Sequence, residues 1–172
     1  FIPAGIFKKF KKLWVSVFLR RKLRTLTDFI CINPNKSINN LVKCIHVNPH
    51  LREFLPNPDA YDGIVINGEG SLIMSDPPRR DALVFMMLMQ NAINQNKKIF
   101  LLNTMFSECP VSGIHQKSLE KLGEILTKCD LITTRDPLSR EFILEKFPKL
   151  KVSYIPDALF TWNNKIQNLS QI

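Results

Sequence analysis

A carboxylate stands between two glycines in the segment NGEGS, residues 67–71. Gly68 and Gly70 allow a close approach of the backbone to a ligand, or a positive φ. Glu69 could serve as a general acid or base or bind a sugar hydroxyl, with Asn67 and Ser71 as polar neighbours. The segment lacks the third glycine of the dinucleotide fingerprint and the GK[ST] of a P-loop. The alternative is a tight turn between a strand and a helix.

A cation and further polar side chains follow other apolar runs of the chain. Arg135 comes after DLITT and just before Asp136, and it could bind a phosphate or carboxylate near a helix N-terminus. Asn103 ends the run KIFLLN, and Asp157 follows KVSYIP. The alternative is that Arg135 braces the neighbouring loop through Asp157 or Glu69, because structural ion pairs are common at such turns.

The cysteines and histidines do not indicate a metal site. The four cysteines are widely spaced and form no CxxC pair, whereas zinc ligands usually come in close pairs. We expect reduced, buried thiols, which suit a reducing compartment. The three histidines are scattered along the chain and are interpreted as satisfied or solvent-facing side chains.

The elements that position these residues follow from hydrophobic periodicity. Short apolar runs alternate with segments of helical period, which predicts an α/β fold with an open parallel sheet, right-handed crossovers and helices on both faces. Ligands bind beyond the carboxyl ends of strands in such sheets, so we expect the polar residues to converge there. The predicted strands are 63–67, 98–103, 130–134 and 151–155, and the predicted helices are 80–96, 112–128 and 137–147.

Residues 25–60 have a weaker pattern. Residues 28–33 could form a strand, and residues 38–55 a helix broken at Pro49. We expect Asp136 to cap the last helix, with Pro137 in its first turn.

The net charge of +9 is concentrated at the N-terminus. Eight basic residues and no acidic residue precede Asp28, so the rest of the chain is nearly neutral. No groove of aromatic and basic residues is evident, and a nucleic-acid partner is therefore not predicted. Residues 5–24 place most of their apolar side chains on one helical face. This segment could lie on an anionic membrane surface, or it could dock on its own domain or on another part of the protein.

Four motifs in order resemble those of the polysaccharide pyruvyl transferase family. They are DGIVINGEGSL, KKIFLLNTM, CDLITTRDPLSREFILEK and VSYIPDALF, and they cover about residues 60–160. The family pattern has a G-x-G-[ST] loop, a strand with a polar turn, an [ST]-x-R-D-x-x-S element and P-D-x-x-F. The matching positions are Gly68, Glu69, Gly70 and Ser71; Thr133, Arg135, Asp136 and Ser139; and Pro156, Asp157 and Phe160.

The resemblance implies the Rossmann-like N-terminal lobe of a two-lobed, glycosyltransferase-B-like enzyme. Its reaction would transfer a pyruvyl group from phosphoenolpyruvate to two hydroxyls of a sugar, giving a ketal and phosphate. Phosphoenolpyruvate would be a donor substrate, with no cofactor and no metal, and the acceptor a sugar or lipid-linked glycan. We predict Glu69 and Arg135 as catalytic residues. The predicted substrate-binding residues are Asn67, Gly68, Gly70, Ser71, Asn103, Asp136, Ser139 and Asp157.

The resemblance also suggests a domain organisation and a location. We expect a basic amphipathic arm over residues 1–27, the lobe over 28–162 and the start of an interdomain linker over 163–172. The chain begins with Phe1 rather than Met, so we expect a fragment whose second lobe lies beyond residue 172. A cytoplasmic location, with peripheral association at the inner face of the cell membrane, is expected. The alternatives are a nucleotide-sugar-dependent glycosyltransferase lobe and a non-catalytic domain that docks on a membrane or a partner.

Overall fold

The computed structural model describes residues 28–46 and 48–157. Within these ranges four strands alternate with three helices after a first helix and two short 3-10 helices. The 3-10 helices are Pro49–Phe54 and Pro58–Ala60. The strands are β1 (Gly63–Met74), β2 (Lys98–Glu108), β3 (Leu131–Thr134) and β4 (Ser153–Tyr154), and the helices are α1 (Pro34–Cys44), α2 (Arg80–Asn94), α3 (Gln116–Leu126) and α4 (Pro137–Lys146).

The four strands form one sheet in the order β1-β2-β3-β4, and every neighbouring pair is parallel. This confirms the predicted open parallel α/β sheet. Each of β1, β2 and β3 is followed by a helix that returns the chain to the starting end of the next strand, as parallel pairing requires. The four strands predicted from apolar runs therefore exist, although their bounds differ.

The main core lies between one face of the sheet and helices α2, α3 and α4. Ile66, Leu101 and Ile132 lie side by side on three strands and are almost completely buried. They share one hydrophobic cluster with Met86 of α2, Leu122 of α3 and Ile143 of α4. A smaller cluster joins α1 to α2 around Leu41 and Met87. Within the described ranges, the helices that contact the sheet pack on this one face, so the predicted placement of helices on both faces is not found there.

β1 and β2 extend past the points where the sequence predicted their ends, and the predicted ends at residues 67 and 103 are wrong. The pairing of β1 with β2 is irregular between Glu69 and Leu72, and then it resumes with Leu72 opposite Phe106. Leu72 and Phe106 are buried, so burial of apolar side chains favours the continuation despite the polar residues in between. β3 ends opposite Thr104, so β1 and β2 continue as a pair beyond the four-stranded part.

Residues 28–33 form no strand, contrary to the prediction. Their backbone groups bond to side chains of α1 instead: Cys31 N donates to Ser37 Oγ at 2.9 Å, and Phe29 O accepts from Asn40 Nδ2 at 3.2 Å. The helix predicted from residue 38 begins earlier, because Asn33 caps it through Lys36 N and Pro34 occupies its first turn. It ends at Cys44, before the expected break at Pro49.

The helix signals in the second half of the chain are confirmed. Asp136 caps α4, with Pro137 at the first helical position. α2 ends in a Schellman motif, in which Asn96 has a positive φ of 53° and Lys97 N donates to Ala92 O at 2.9 Å. α3 is shorter than predicted and begins after His115, whose side chain accepts from Ser118 N.

All four cysteines are free thiols, but only Cys44 is fully buried, so the expectation of buried thiols is wrong for Cys31, Cys109 and Cys129. The side chain of His115 is satisfied as a helix cap. Within residues 28–46 and 48–157, none of the helices is long and apolar enough to cross a membrane. The predicted arm (1–27) and linker (163–172) lie outside the described residues, as does Phe160.

Candidate functional site

Three polar side chains of β1 and β2 form a hydrogen-bonded chain. Asn103 Nδ2 donates to Asn67 Oδ1 at 3.1 Å, and Asn67 Nδ2 donates to Glu69 Oε1 at 3.1 Å. The backbone N–H of Asn103 donates to Thr133 Oγ1 at 3.0 Å, which connects the cluster to β3. Asn67, Glu69 and Asn103, called the polar cluster below, are therefore oriented by each other and by the third strand.

The backbone is left-handed at two members of this cluster. Glu69 has φ 39° and Asn103 has φ 52°, values that side chains other than glycine adopt at a cost of about 1–3 kcal/mol each. Both lie where the strand pairing is irregular. Asparagine tolerates this conformation, but glutamate has no such preference. Strained backbone of this kind concentrates at binding and catalytic sites, so these two angles favour a functional role.

An open cavity of about 370 Å³ lies beside the polar cluster. This is within the size range of small-molecule sites, which is about 300–1,000 Å³. Asn67, Asn103 and Thr133 give it a polar side, and the remaining lining is largely apolar. Its residues are Val65, Asn67, Leu102, Asn103, Thr133, Ile155 and Pro156.

One acceptor at this cavity is buried and unsatisfied. Within the part of the chain that the structure describes, Asn103 Oδ1 accepts no hydrogen bond. A buried polar atom without a partner is uncommon and costs about 1–3 kcal/mol. A ligand hydroxyl or amine could supply the missing donor. The carboxylate of Glu69 is exposed at the other end of the cluster.

Arg135 lies next to this cavity but does not line it. Its Nη1 is 3.6 Å from Asp157 Oδ2, and its Nη2 is 3.5 Å from Met105 Sδ. Met105 also lies beside the glycine segment, with its Cε 3.4 Å from the position that a Cβ on Gly70 would occupy. The structure thus places Arg135, Asp157 and the NGEGS segment in one neighbourhood, as expected. The Arg135–Asp157 pair is also the bracing contact named as the alternative.

The two glycines of NGEGS have different environments. Gly68 is buried against β2, and a Cβ there would lie 2.3 Å from Thr104 Oγ1. Gly70 has more room, and its carbonyl accepts from Arg79 Nη1 at 3.2 Å. Ser71 is half-buried on the continuing strand. Gly68 is therefore explained by close packing of two strands, and its assignment to substrate binding, like that of Gly70 and Ser71, stays a prediction.

Asp136 and Ser139 are engaged in a local structural network. Asp136 Oδ1 accepts from Ser139 N at 2.7 Å, and Ser139 Oγ donates to Asp136 Oδ2 at 2.6 Å. Ser139 Oγ also accepts from Phe106 N at 3.0 Å and is buried. Neither residue lines the cavity. These contacts explain both residues through the helix cap and its attachment to β2, and their predicted substrate contacts stay a prediction.

Sequence reasoning missed two contributors to this region. Thr133 belongs to the [ST]-x-R-D element, but its role in orienting Asn103 requires knowledge of the β2–β3 register. Met105 separates the glycine segment from Arg135, and no sequence signal distinguishes it from a core methionine. No group of three or more metal-binding side chains occurs among residues 28–46 and 48–157.

Comparison with known proteins assigns the chain to a family. A sequence model of the polysaccharide pyruvyl transferase family matches residues 2–170. The chain belongs to the polysaccharide pyruvyl transferase family. Because the match covers nearly the whole chain, it confirms the resemblance seen in the motifs and extends it to the basic N-terminal segment. The family is one of transferases. No curated protein and no solved structure matches the chain significantly.

Proposed function

We propose that this protein takes part in pyruvyl transfer from phosphoenolpyruvate to a free or lipid-linked sugar, and that the polar cluster binds the sugar hydroxyls. Family membership supports the reaction class. The observation that carries the site assignment is the polar cluster itself. It combines two left-handed backbone positions and a buried unsatisfied acceptor beside a cavity of about 370 Å³.

The proposed reaction joins one donor and two hydroxyls. The enol methylene of phosphoenolpyruvate is protonated to a methyl group, and the oxygen of the first hydroxyl forms a bond to C2. The second hydroxyl then attacks C2 as the bond from C2 to the phosphate oxygen breaks. The proton of the first hydroxyl balances the one added to the methylene, and the proton of the second leaves with phosphate. The products are a ketal and inorganic phosphate.

Glu69 and Asn103 act on the sugar hydroxyls in different ways. Asn103 Oδ1 accepts a hydrogen bond from one sugar hydroxyl, which satisfies its buried lone pairs. The Glu69 carboxylate, oriented by Asn67, accepts the proton of an attacking hydroxyl. Such proton transfer contributes roughly 10²–10⁴-fold to a rate.

Arg135 is the proposed cation for the phosphate or carboxylate of the donor. Its Nη1 lies 3.6 Å from Asp157 Oδ2, and 30% of the Arg135 side chain is exposed to solvent. A guanidinium in this state can reach a second anion through its remaining donors. Pro156, next to Asp157, lines the cavity, so a donor bound by Arg135 would lie close to a sugar at the polar cluster.

Two measurements on the full chain test the proposal, one of donor binding and one of turnover. Phosphoenolpyruvate binding is followed by ³¹P NMR, and Arg135→Ala should weaken it roughly 10–100-fold, the value of a lost charged hydrogen bond. Arg52→Ala, which removes an exposed arginine of a 3-10 helix, should leave it unchanged. Equal binding by both variants, or no binding by the unaltered chain, would contradict the proposal.

Turnover is measured with phosphoenolpyruvate and a panel of nitrophenyl glycosides. Phosphate release and the proton NMR signal of the ketal methyl group report the reaction. Glu69→Gln should slow ketal formation by about 10²-fold or more, whereas Glu141→Gln on the exposed surface of α4 should not. Consumption of nucleotide sugars instead of phosphoenolpyruvate would favour a glycosyltransferase. Absence of both activities would favour a non-catalytic docking domain.

A further inference from the structure

The second face of the sheet carries a row of apolar side chains that are exposed or only half-buried. Val65, Phe100 and Leu131 lie opposite each other on β1, β2 and β3, and this apolar row points away from the buried cluster. Val65 is 67% exposed and Leu131 39% exposed within the described part of the chain. Parallel sheets are normally covered on both faces, and contiguous apolar patches mark contact surfaces. This face therefore requires an occupant.

The connections between the strands cannot supply that occupant. The strands follow one another in the order β1-β2-β3-β4, and right-handed crossovers in a constant direction place every connecting helix on the same face. α2, α3 and α4 are those helices, and they cover Ile66, Leu101 and Ile132. α1 packs against α2 through the cluster of Leu41 and Met87. The occupant must then come from outside residues 28–157.

We propose that residues 5–24 of this chain cover the apolar row. The family match begins at residue 2, so this segment belongs to the family's domain and is not an appended tail. At helical spacing seven of its apolar side chains fall on one side, opposite Lys8, Lys11 and Lys12, which suits one buried and one solvated face. A helix of this length reaches about 30 Å, more than the roughly 15 Å spanned by four strands. The seven apolar residues on that side are Ile6, Phe7, Phe10, Leu13, Trp14, Val17 and Phe18.

The apolar row borders the candidate site without forming it. Val65 belongs to the apolar row and also lines the cavity, and Asn67 lies two residues further along the same face of β1. The docking proposal rests on the apolar row and the family match, and it does not depend on the proposed reaction.

Photo-crosslinking locates the occupant directly. Phe100→p-benzoylphenylalanine replaces one aromatic side chain of the row by another, and the crosslinked peptides of the full chain are identified by mass spectrometry. We expect adducts within the same chain to residues 5–24. Adducts to residues 158–172, adducts to a second copy of the chain, or the absence of an adduct would overturn the proposal.

Trp14 fluorescence gives an independent measurement. With Trp162→Phe, Trp14 is the single tryptophan of the chain. Val65→Asp should make Trp14 several-fold more accessible to acrylamide, whereas Val111→Asp, in a loop where valine is 93% exposed, should not. Equal quenching in the two variants contradicts docking.

Vesicles of phosphatidylserine and phosphatidylcholine test whether the full chain binds a membrane instead. Binding of residues 5–24 to these vesicles, with loss of the crosslink from position 100, would also contradict docking on the sheet.

Discussion

At the scale of residues, the polar cluster shows how backbone and side chain act together. Glu69 and Asn103 adopt left-handed φ angles, and both side chains end in the hydrogen-bonded chain through Asn67. Glycine at position 69 would remove the backbone strain, so a glutamate at this position supports the role that we propose for its carboxylate. Residue types alone suggested Glu69, Asn67 and Asn103 as candidates. Their contacts depend on the register of two strands.

We predict that Gly68→Ala destabilises the protein while Gly70→Ala does not. A Cβ on Gly68 would lie 2.3 Å from Thr104 Oγ1, and Thr104 is β-branched and fully buried, so it has no room to move. Overpacking of this kind costs about 1–3 kcal/mol. The free energy of unfolding in urea measures the difference. Equal stability of the two variants would contradict it, and Thr104→Ala in the Gly68→Ala background should recover part of the loss.

We predict that Cys109 is alkylated at lower pH than Cys129. Hydrogen bonds from Ser112, then from the backbone of Ser112 and Val111, lower the pKa of Cys109, so its thiolate forms below the usual pH. Burial, followed by the charge of Asp130, raises the pKa of Cys129 to about 12 and keeps that thiol protonated at neutral pH. Because the thiolate reacts, iodoacetamide at pH 8 should label Cys109 at least about tenfold faster, as followed by mass spectrometry.

Ser112→Ala provides the control for the thiol prediction. It removes the largest cause of the lowered pKa of Cys109, so the rate of alkylation at Cys109 should shift to higher pH. The rate at Cys129 should stay the same. Fast labelling of Cys129, or an unchanged pH profile of Cys109 in the variant, would show that these environments do not control reactivity.

At the scale of elements, the site lies along the strands rather than after them. Polar residues and glycines at 67–71, and polar residues at 103–104, predicted strand ends, but β1 and β2 continue to Met74 and Glu108. The interruption appears as an irregular register between Glu69 and Leu72. Local polarity gives no information about whether pairing resumes. Burial of Leu72 and Phe106 decides this, and that burial is a tertiary effect.

Ser139 links α4 to β2 by a buried hydrogen bond, and we predict that Ser139→Ala lowers the free energy of unfolding by about 1–3 kcal/mol. The variant leaves Phe106 N without its acceptor in the core and removes a donor to the Asp136 cap. Urea unfolding measures the loss. Ser153→Ala, at an exposed position of β4, should change the free energy of unfolding by less than about 0.5 kcal/mol. Similar values for both variants would contradict this role for Ser139.

At the scale of the whole molecule, the order of strands explains why the sheet has two different faces. Four strands added in one direction place α2, α3 and α4 together on one side. The other side carries Val65, Phe100 and Leu131, the row on which we propose that residues 5–24 dock. The same argument connects the charge distribution to the fold. In that proposal Lys8, Lys11 and Lys12 stay solvated while the opposite, apolar side of residues 5–24 docks.

The sequence by itself determined the α/β class, the parallel sheet and the cap of α4. Apolar runs of strand length, helical periodicity and the Asp136-Pro137 signal are local properties, and local backbone preferences fix them. Four ordered motifs also identified the family before the fold was known, and the match over residues 2–170 agrees with them.

Tertiary structure alone decided which polar residues share a cavity. Asp136 and Ser139 carry the same kind of motif signal as Asn67 and Asn103, yet they face the core and the helix cap. Asn67 and Asn103 meet because β1 and β2 are aligned in one register, and a shift by one residue would turn either side chain to the other face. Register is set by the fit of buried side chains across strands far apart in the chain, which a single sequence does not encode locally.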